Sequence, residues 1–289
     1  MLTALIKTMR PRQWTKNIFI FAALVFDKQL FILDSFLHTL AGFALFCLIS
    51  SCVYIFNDIA DVEADRRHPE KKNRPIAAGQ LPVPAAITAG ILLVIVTLGL
   101  SFYLAPAFGL VLLVYFVLNL AYSKWLKHVP IIDVFVLAAC FVLRVHAGVT
   151  LIHVERFSPW LYVAMTLLSL FLGFGKRRAE LALLAHGAGS HRKVLEGYTL
   201  PLLDQYIMIV SATTIIVYSL YTFSAPNVPE NDSMMLTIPF VIYALFRYLH
   251  LVHVKQAGGS PEEILLSDRP FQVTMILWAA SVLAVFYFA

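Results

Sequence analysis

Charge is scarce in this chain: of 289 residues only 13% are Asp, Glu, Lys or Arg, against 60% hydrophobic. With a mean hydropathy of +0.79, that scarcity excludes an ordinary soluble domain and places the chain among polytopic membrane proteins. No polar N-terminal extension and no small-residue cleavage site follow the start, so the first apolar segment is expected to be retained rather than removed as a signal peptide. Cysteine is nearly absent. Cys47, Cys52 and Cys140 lie in apolar runs without metal-ligand or redox spacing, which makes them small packing residues and leaves the compartment open. A Walker-type glycine loop, a nucleophile elbow and a zinc-type histidine pair are all missing, which removes those routes to phosphate binding, acyl transfer and metal hydrolysis. His250 and His253 have no acidic companion in sequence and read as packing or interface residues. The bases fall in short loops beside apolar spans, not in one basic domain, so nucleic acid is not an expected partner.

What is present is a series of apolar runs of about 20 residues, enough for a tilted helix to cross the hydrocarbon core. They cover 36–57, 83–104, 106–123, 131–151, 158–178, 201–223, 234–254 and 270–289, with a weaker ninth at 14–33 that Asp27 and Lys28 interrupt. The expected fold is all-α: a polytopic integral membrane bundle of about nine transmembrane helices, eight if the interrupted run fails, in one domain over 1–289. With the N-terminus cytoplasmic, the inside segments collect Lys7, Arg10, Arg12 and Lys16; Arg66, Arg67, Lys71, Lys72 and Arg74; Lys124 and Lys127; Lys176, Arg177, Arg178, Arg192 and Lys193; and Lys255 and Arg269. The opposite loops hold Lys28 and Arg156. By the positive-inside rule this bias sets the orientation.

Acids are the residues out of place in such a chain. Asn57-Asp58-Ile59-Ala60-Asp61-Val62-Glu63-Ala64-Asp65 closes the apolar run from Leu40 to Phe56. Carboxylates at the mouth of a span are costly unless a cation neutralises them. On a helix Asp58, Asp61 and Asp65 share one face, and oxygen ligands gathered there suit Mg²⁺, which takes one or two carboxylates and fills its shell with water and substrate phosphate. The motif predicts Mg²⁺ and a phosphorylated substrate, a diphosphate.

Bases follow the acids. Arg74, ahead of Pro75-Ile76-Ala77-Ala78-Gly79, is expected against the site, where a guanidinium can hold phosphate bidentately. Arg66, Arg67, Lys71 and Lys72 read equally well as a solvated positive loop. In the second inside loop Tyr122 can donate to a phosphate oxygen and Lys127 can neutralise it, while Lys124 and Lys127 also suit snorkelling at the interface. Asp133, one turn into the next helix, needs a partner, and Arg144, about three turns further, is expected to line a substrate chamber. Lys176 and Arg177 leave a helix where a phosphate can be clamped, although the run of three bases also serves topology. His191 to Tyr198 offers further donors. Glu262 to Pro270 is expected to cap the site, with Asp268 and Arg269 as a local ion pair.

Asn57-Asp58-x-x-Asp61-x-x-x-Asp65 resembles the first signature of the UbiA-type membrane prenyltransferase superfamily. Arg10-Pro11-Arg12-Gln13-Trp14-Thr15-Lys16-Asn17, Arg74-Pro75-Ile76-Ala77-Ala78-Gly79, Tyr122-Ser123-x-x-Leu126-Lys127 and Gly175-Lys176-Arg177-Arg178-Ala179-Glu180 narrow the likeness to its decaprenyl-phosphate phosphoribosyltransferase branch. Other members carry a second Asp-rich motif after the sixth helix; here Lys176, Arg177 and Arg178 stand in its place, with Glu180 the nearby acid. Other members also place Lys four residues after the Tyr, where this chain has Leu126 and then Lys127. Both departures point away from an ordinary aromatic prenyltransferase.

The resemblance implies a central cavity open to the cytoplasmic side of a bacterial-type inner membrane. It further implies Mg²⁺-dependent transfer of 5-phosphoribosyl from 5-phosphoribosyl 1-diphosphate to a polyprenyl phosphate, releasing diphosphate, for cell-envelope precursor synthesis. Asp58, Asp61 and Asp65 would be catalytic and hold the metal, with Asn57 in the same motif. Lys16, Arg74, Tyr122, Lys127, Lys176 and Arg177 would bind phosphate, and Asp133 and Arg144 would serve the substrate chamber. Bases rather than a second acidic set suit the two extra phosphate groups, one on the ribose and one on the lipid. Two rivals stay open: a UbiA-type enzyme moving a prenyl group from a prenyl diphosphate to an aromatic or other small acceptor, and a transporter or lipid-binding protein whose acids form an ion site. Prenyl length and oligomeric state are not encoded in these features.

Overall fold

The computed structural model describes residues 1–69, 71–154, 157–185, 193–254, 264 and 267–288. Arg156, His191, Arg192, Lys255, Glu262 and Glu263, on which parts of the charge and loop readings fell, lie outside them. Among the described residues every regular element is helical. In chain order these are α1 (Leu2–Met9), a 3₁₀ segment (Pro11–Phe21), α2 (Ala22–Phe26), α3 (Leu33–Ala60), α4 (Val62–Arg67), α5 (Val83–Leu104), α6 (Pro106–Lys124), α7 (Ile132–Val149), α8 (Pro159–Ala185), α9 (Leu200–Ser224), α10 (Ile238–His253) and α11 (Arg269–Phe288). Among the described residues eight stretches are long and apolar enough to cross a bilayer: α3, α5, α6, α7, α8, α9, Ser233–His253 and α11. The protein is a multi-pass membrane protein.

The run at 14–33 does not add a ninth long helix. Arg10 ends α1 in the left-handed region, with φ 53°, and Pro11 starts a 3₁₀ segment of 11 residues, far beyond the three or four usual for that geometry. A 3₁₀ helix rises about 2.0 Å per residue, so this segment with α2 extends about 30 Å, the thickness of the hydrocarbon core. It therefore has the length of a span without its regular α geometry. Side chains on α3 hold it: Trp14 Nε1 donates to Ser51 Oγ at 3.0 Å, and Asn17 Nδ2 to Cys47 Sγ at 3.3 Å and to Ser50 Oγ at 3.4 Å.

The chain divides into two compact units. The first comprises Met1–Leu24, Gln29–Trp125 and Leu143–Val154. Here α3 packs on α1, the 3₁₀ segment, α5 and α6. α5 and α6 form a hairpin because Ala105 precedes a proline and is driven extended, φ −159° and ψ 124°, after which Pro106 opens the next helix. The second unit comprises Val25–Lys28, Leu126–Val142 and Glu155–Ala289. Its core gathers Val134 and Ala138 of α7, Phe171 and Phe174 of α8, Leu203 and Ile207 of α9, and Tyr248 and Leu251 of α10.

Candidate functional site

The acidic motif spans the junction of α3 and α4 in the first unit. Asn57 and Asp58 close α3, Asp61 is the joint, and Asp65 lies in α4. Helical hydrogen bonds pass through the joint, from Asp61 N to Asn57 O at 2.9 Å and from Asp65 N to Asp61 O at 2.8 Å. Asp58 and Asp65 are buried, at 2% and 3% exposure, and burying carboxylates demands positive charge beside them. Two arginines supply it. Arg74 Nη1 donates to Asp65 Oδ2 at 2.6 Å and to Asp58 Oδ1 at 3.1 Å, and Arg10 Nη2 donates to Asp58 Oδ1 at 2.5 Å. Arg74 arrives there because the chain after it folds back, burying Ile76 and Leu81 against Ile55 and Ala4. Arg10 is aimed by the left-handed turn that ends α1, and its guanidinium lies 4.8 Å from the centre of the Tyr54 ring.

A cleft of about 320 Å³ opens beside these pairs, lined by Lys7, Arg10, Asp58, Lys71, Asn73, Arg74 and Pro75. Among the described residues no three His, Cys, Asp or Glu side chains converge as a metal cage. Mg²⁺ needs only one or two carboxylates when a substrate phosphate completes its shell. Asp58 Oδ1 and Asp65 Oδ2 both reach one guanidinium nitrogen, so two hard oxygen donors already converge on a single cationic group. That donor set fits Mg²⁺.

Of the other residues singled out, Asn57 Oδ1 accepts from Ser123 Oγ at 2.5 Å, tying the end of α6 to α3. Lys16, Asp61, Tyr122, Lys127 and Lys176 are half-buried. Arg144 does not line the acidic cleft. Its guanidinium is held inside the first unit, donating to Asn17 Oδ1 at 2.9 Å and to the Tyr115 hydroxyl at 3.0 Å, and it packs over the Phe46 and Tyr115 rings.

In the second unit the structure corrects two expectations. Arg177 is 1% exposed and Asp133 0%, and Arg177 Nε donates to Asp133 Oδ2 at 2.6 Å while Arg177 Nη1 donates to Glu180 Oε2 at 2.7 Å. A guanidinium sealed between two carboxylates is an internal counter-ion, not a phosphate clamp. The Tyr198 hydroxyl completes the set, donating to Asp133 Oδ1 at 2.7 Å and accepting from Ile131 N at 2.5 Å. Burial, then the hydrogen bond to the Asp133 carboxylate, pushes the Tyr198 phenol well above its ordinary value of 10. Next to Tyr198, Gly197 touches Pro130 so closely that a Cβ there would stand 2.3 Å from Pro130 Cγ. Arg178 pairs outward with Asp204 at 2.5 Å. The expected Asp268–Arg269 pair is also replaced: Asp268 accepts two bonds from Arg247, at 3.1 and 2.7 Å.

The acids at the end of α3 and the arginine that bridges them lie within a stretch that matches a known family. The model of the UbiA prenyltransferase family matches residues 17–263. The chain belongs to that family. Among its UbiA relatives, the decaprenyl-phosphate phosphoribosyltransferase of Mycolicibacterium smegmatis is 36% identical, the alignment covering 100% of this chain and 94% of the relative. The decaprenyl-phosphate phosphoribosyltransferase of Corynebacterium glutamicum is 35% identical over 98% of this chain and 86% of its own. In fold, a UbiA homologue from Archaeoglobus fulgidus bound to GPP and Mg²⁺ superposes with a TM-score of 0.73 at 20% identity, covering 98% and 99% of the two chains.

Two residues of this UbiA chain escaped the sequence-based site. The distribution of bases presents Arg10 as topological charge, yet it is the second cation on Asp58; the signal for it is the Arg-Pro step, which ends a helix and turns the arginine out of it. Tyr198 reads in sequence as one donor among several in its loop. Nothing local marks it, because its partners Asp133 and Ile131 lie more than 60 residues earlier, at separations of 65 and 67.

Proposed function

We propose that the protein transfers 5-phosphoribosyl from 5-phosphoribosyl 1-diphosphate to a polyprenyl phosphate in the membrane and releases diphosphate. The observation that carries this reading is likeness along 98–100% of the chain to relatives bearing the corresponding name, and the chemistry of the cleft agrees with it. In the reaction the bond from ribose C1 to the diphosphate oxygen breaks with its electron pair leaving on diphosphate. A bond then forms from C1 to an oxygen of the lipid phosphate. That nucleophile is already an anion, so the site needs no strong general base.

Asp58 and Asp65, with Asp61 at the joint between them, are the residues that would hold Mg²⁺. The metal would supply charge neutralisation for the leaving diphosphate. Arg10 and Arg74 neutralise the same acids in the structure and stand within reach of phosphate oxygens entering the cleft, where a guanidinium binds bidentately. Asn57 is fixed by Ser123 and orients the head of the motif. Lys16, Tyr122, Lys127 and Lys176 remain in the proposed phosphate-binding set, and the cleft is assigned to the cytoplasmic face of the inner membrane by the distribution of bases.

The test is a radiolabelled transfer assay with purified, detergent-solubilised protein and Mg²⁺. Label moving from ribose-labelled 5-phosphoribosyl 1-diphosphate into the lipid phase in the presence of polyprenyl phosphate is the expected outcome. Transfer from a labelled prenyl diphosphate to a small acceptor, with none from the phosphoribosyl donor, would replace this reading with that of a prenyltransferase.

A further inference from the structure

The cleft contains more positive charge than its acids require. Arg10 and Arg74 answer Asp58 and Asp65, but Lys7 and Lys71 also line the cleft, and among the described residues neither is paired with a carboxylate. Lys7 projects from the last turn of α1, and Lys71 and Asn73 belong to the short 3₁₀ turn Lys71–Asn73. These two elements approach from different parts of the chain, so the pair of ammonium groups is made by the fold and not by a run of bases. A volume of about 320 Å³ is at the lower end of small-molecule sites, room for one phosphorylated sugar.

We infer that Lys7, Lys71 and Asn73 form a subsite for a phosphate monoester, the 5-phosphate of the sugar donor, beside the acid and arginine end that takes its diphosphate. This rests on the phosphoribosyl reading given above. A monoester dianion suits two ammonium groups and an amide donor. The same chemistry belongs to the polyprenyl phosphate head group, but of the residues lining this cleft only Pro75 has an apolar side chain, which leaves no wall for a prenyl tail. The donor carries both phosphate groups on one ribose, so a diphosphate at Asp58 and Arg74 brings the 5-phosphate into the same cleft.

The test uses the full-length protein with Lys7→Gln and Lys71→Gln, singly and together; both lysines are exposed, so folding is not at stake. Each loss of a charged hydrogen bond is expected to raise KM for 5-phosphoribosyl 1-diphosphate roughly tenfold, while KM for polyprenyl phosphate holds. Equilibrium binding of ribose 5-phosphate should weaken by the same factor and that of inorganic diphosphate should not. A rise confined to the lipid KM would assign the subsite to the head group and overturn the inference. Unaltered ribose 5-phosphate affinity in the double variant would reduce both lysines to solvated charges. If the unmodified protein transfers no phosphoribosyl group, the function reading falls, and the ribose 5-phosphate titration still decides whether the subsite exists.

Discussion

Arg74 is the residue on which the acidic cluster turns, because one of its nitrogens serves both Asp58 and Asp65. Replacing it by Gln leaves two buried carboxylates with Arg10 as their remaining guanidinium, and unsatisfied buried charge costs about 1–3 kcal/mol or more. The side chain is 26% exposed, so solvent screening places the expected loss toward the low end of that range. Arg74→Gln should lower the melting temperature in detergent, and added Mg²⁺ should restore more stability to the variant than to the parent protein, since a cation again neutralises the acids. Equal Mg²⁺ shifts in both would argue against a shared cation site. Tyr198 invites a different measurement. Its hydroxyl holds Asp133 and also Ile131, a β-branched residue at φ 71°, a backbone state that costs about 1–3 kcal/mol and persists only where the surroundings impose it. Because the folded phenol holds its proton above the ordinary value of 10, its contribution is complete below pH 10 and is lost as the pH rises past that point, where the unfolded chain ionises first. The stability gap between the parent and Tyr198→Phe, about 1 kcal/mol at neutral pH, should therefore shrink in denaturation midpoints taken between pH 9 and pH 11.

At the level of elements, the long helices were legible because a bilayer imposes a length and an apolar composition that the chain displays directly. The run 83–104 coincides with α5, and the extension of α8 to Ala185 beyond the expected 178 follows from Ala179-Glu180-Leu181-Ala182-Leu183-Leu184-Ala185, all strong helix formers that carry the helix past its three bases. The 3₁₀ segment was not legible. Its hydrogen-bond pattern depends on Asn17 and Trp14 reaching α3 and on the approach of α7, none of which a periodicity in residues 14–33 contains. Asp268 teaches the same lesson, since adjacency in sequence pointed to Arg269 whereas the fold delivers Arg247 from α10. Gly148 shows how close that approach of α7 is: a Cβ there would stand 1.9 Å from the Ile20 carbonyl oxygen, with backbone on both sides and little freedom to yield. Gly148→Ala should cost about 1–3 kcal/mol by overpacking. Gly99→Ala in α5, where a Cβ meets nothing within 4 Å, should be neutral or stabilising by up to about 1 kcal/mol. A comparison of melting temperatures checks the pair, and equal effects would mean that the 3₁₀ segment is not packed as described.

For the whole molecule, the bases that the sequence grouped into one phosphate-binding set separate into two kinds of work. In the first unit Arg74 lines a cleft; in the second, Arg177 is consumed inside the protein by Asp133 and Glu180. Burial, not residue type, makes that division, and sequence patterns do not report burial for a single charged residue within a helix. The cleft can use a soluble sugar phosphate only if it faces the compartment that supplies one, so orientation is part of the functional claim. Cys47, Cys52 and Cys140 are all buried, which leaves a low background for single exposed cysteines introduced as reporters. Lys72, on the loop beside the cleft, and Asn231, on the loop after α9, are both exposed. In intact cells treated with a membrane-impermeant maleimide, Asn231→Cys should label and Lys72→Cys should not, with the pattern reversed in inverted membrane vesicles. Labelling of Lys72→Cys from outside intact cells would place the acids and arginines away from the cytoplasm. The positive-inside bias and the phosphoribosyl reading would then fail together, because a water-soluble diphosphate donor could not reach the cleft without crossing the bilayer.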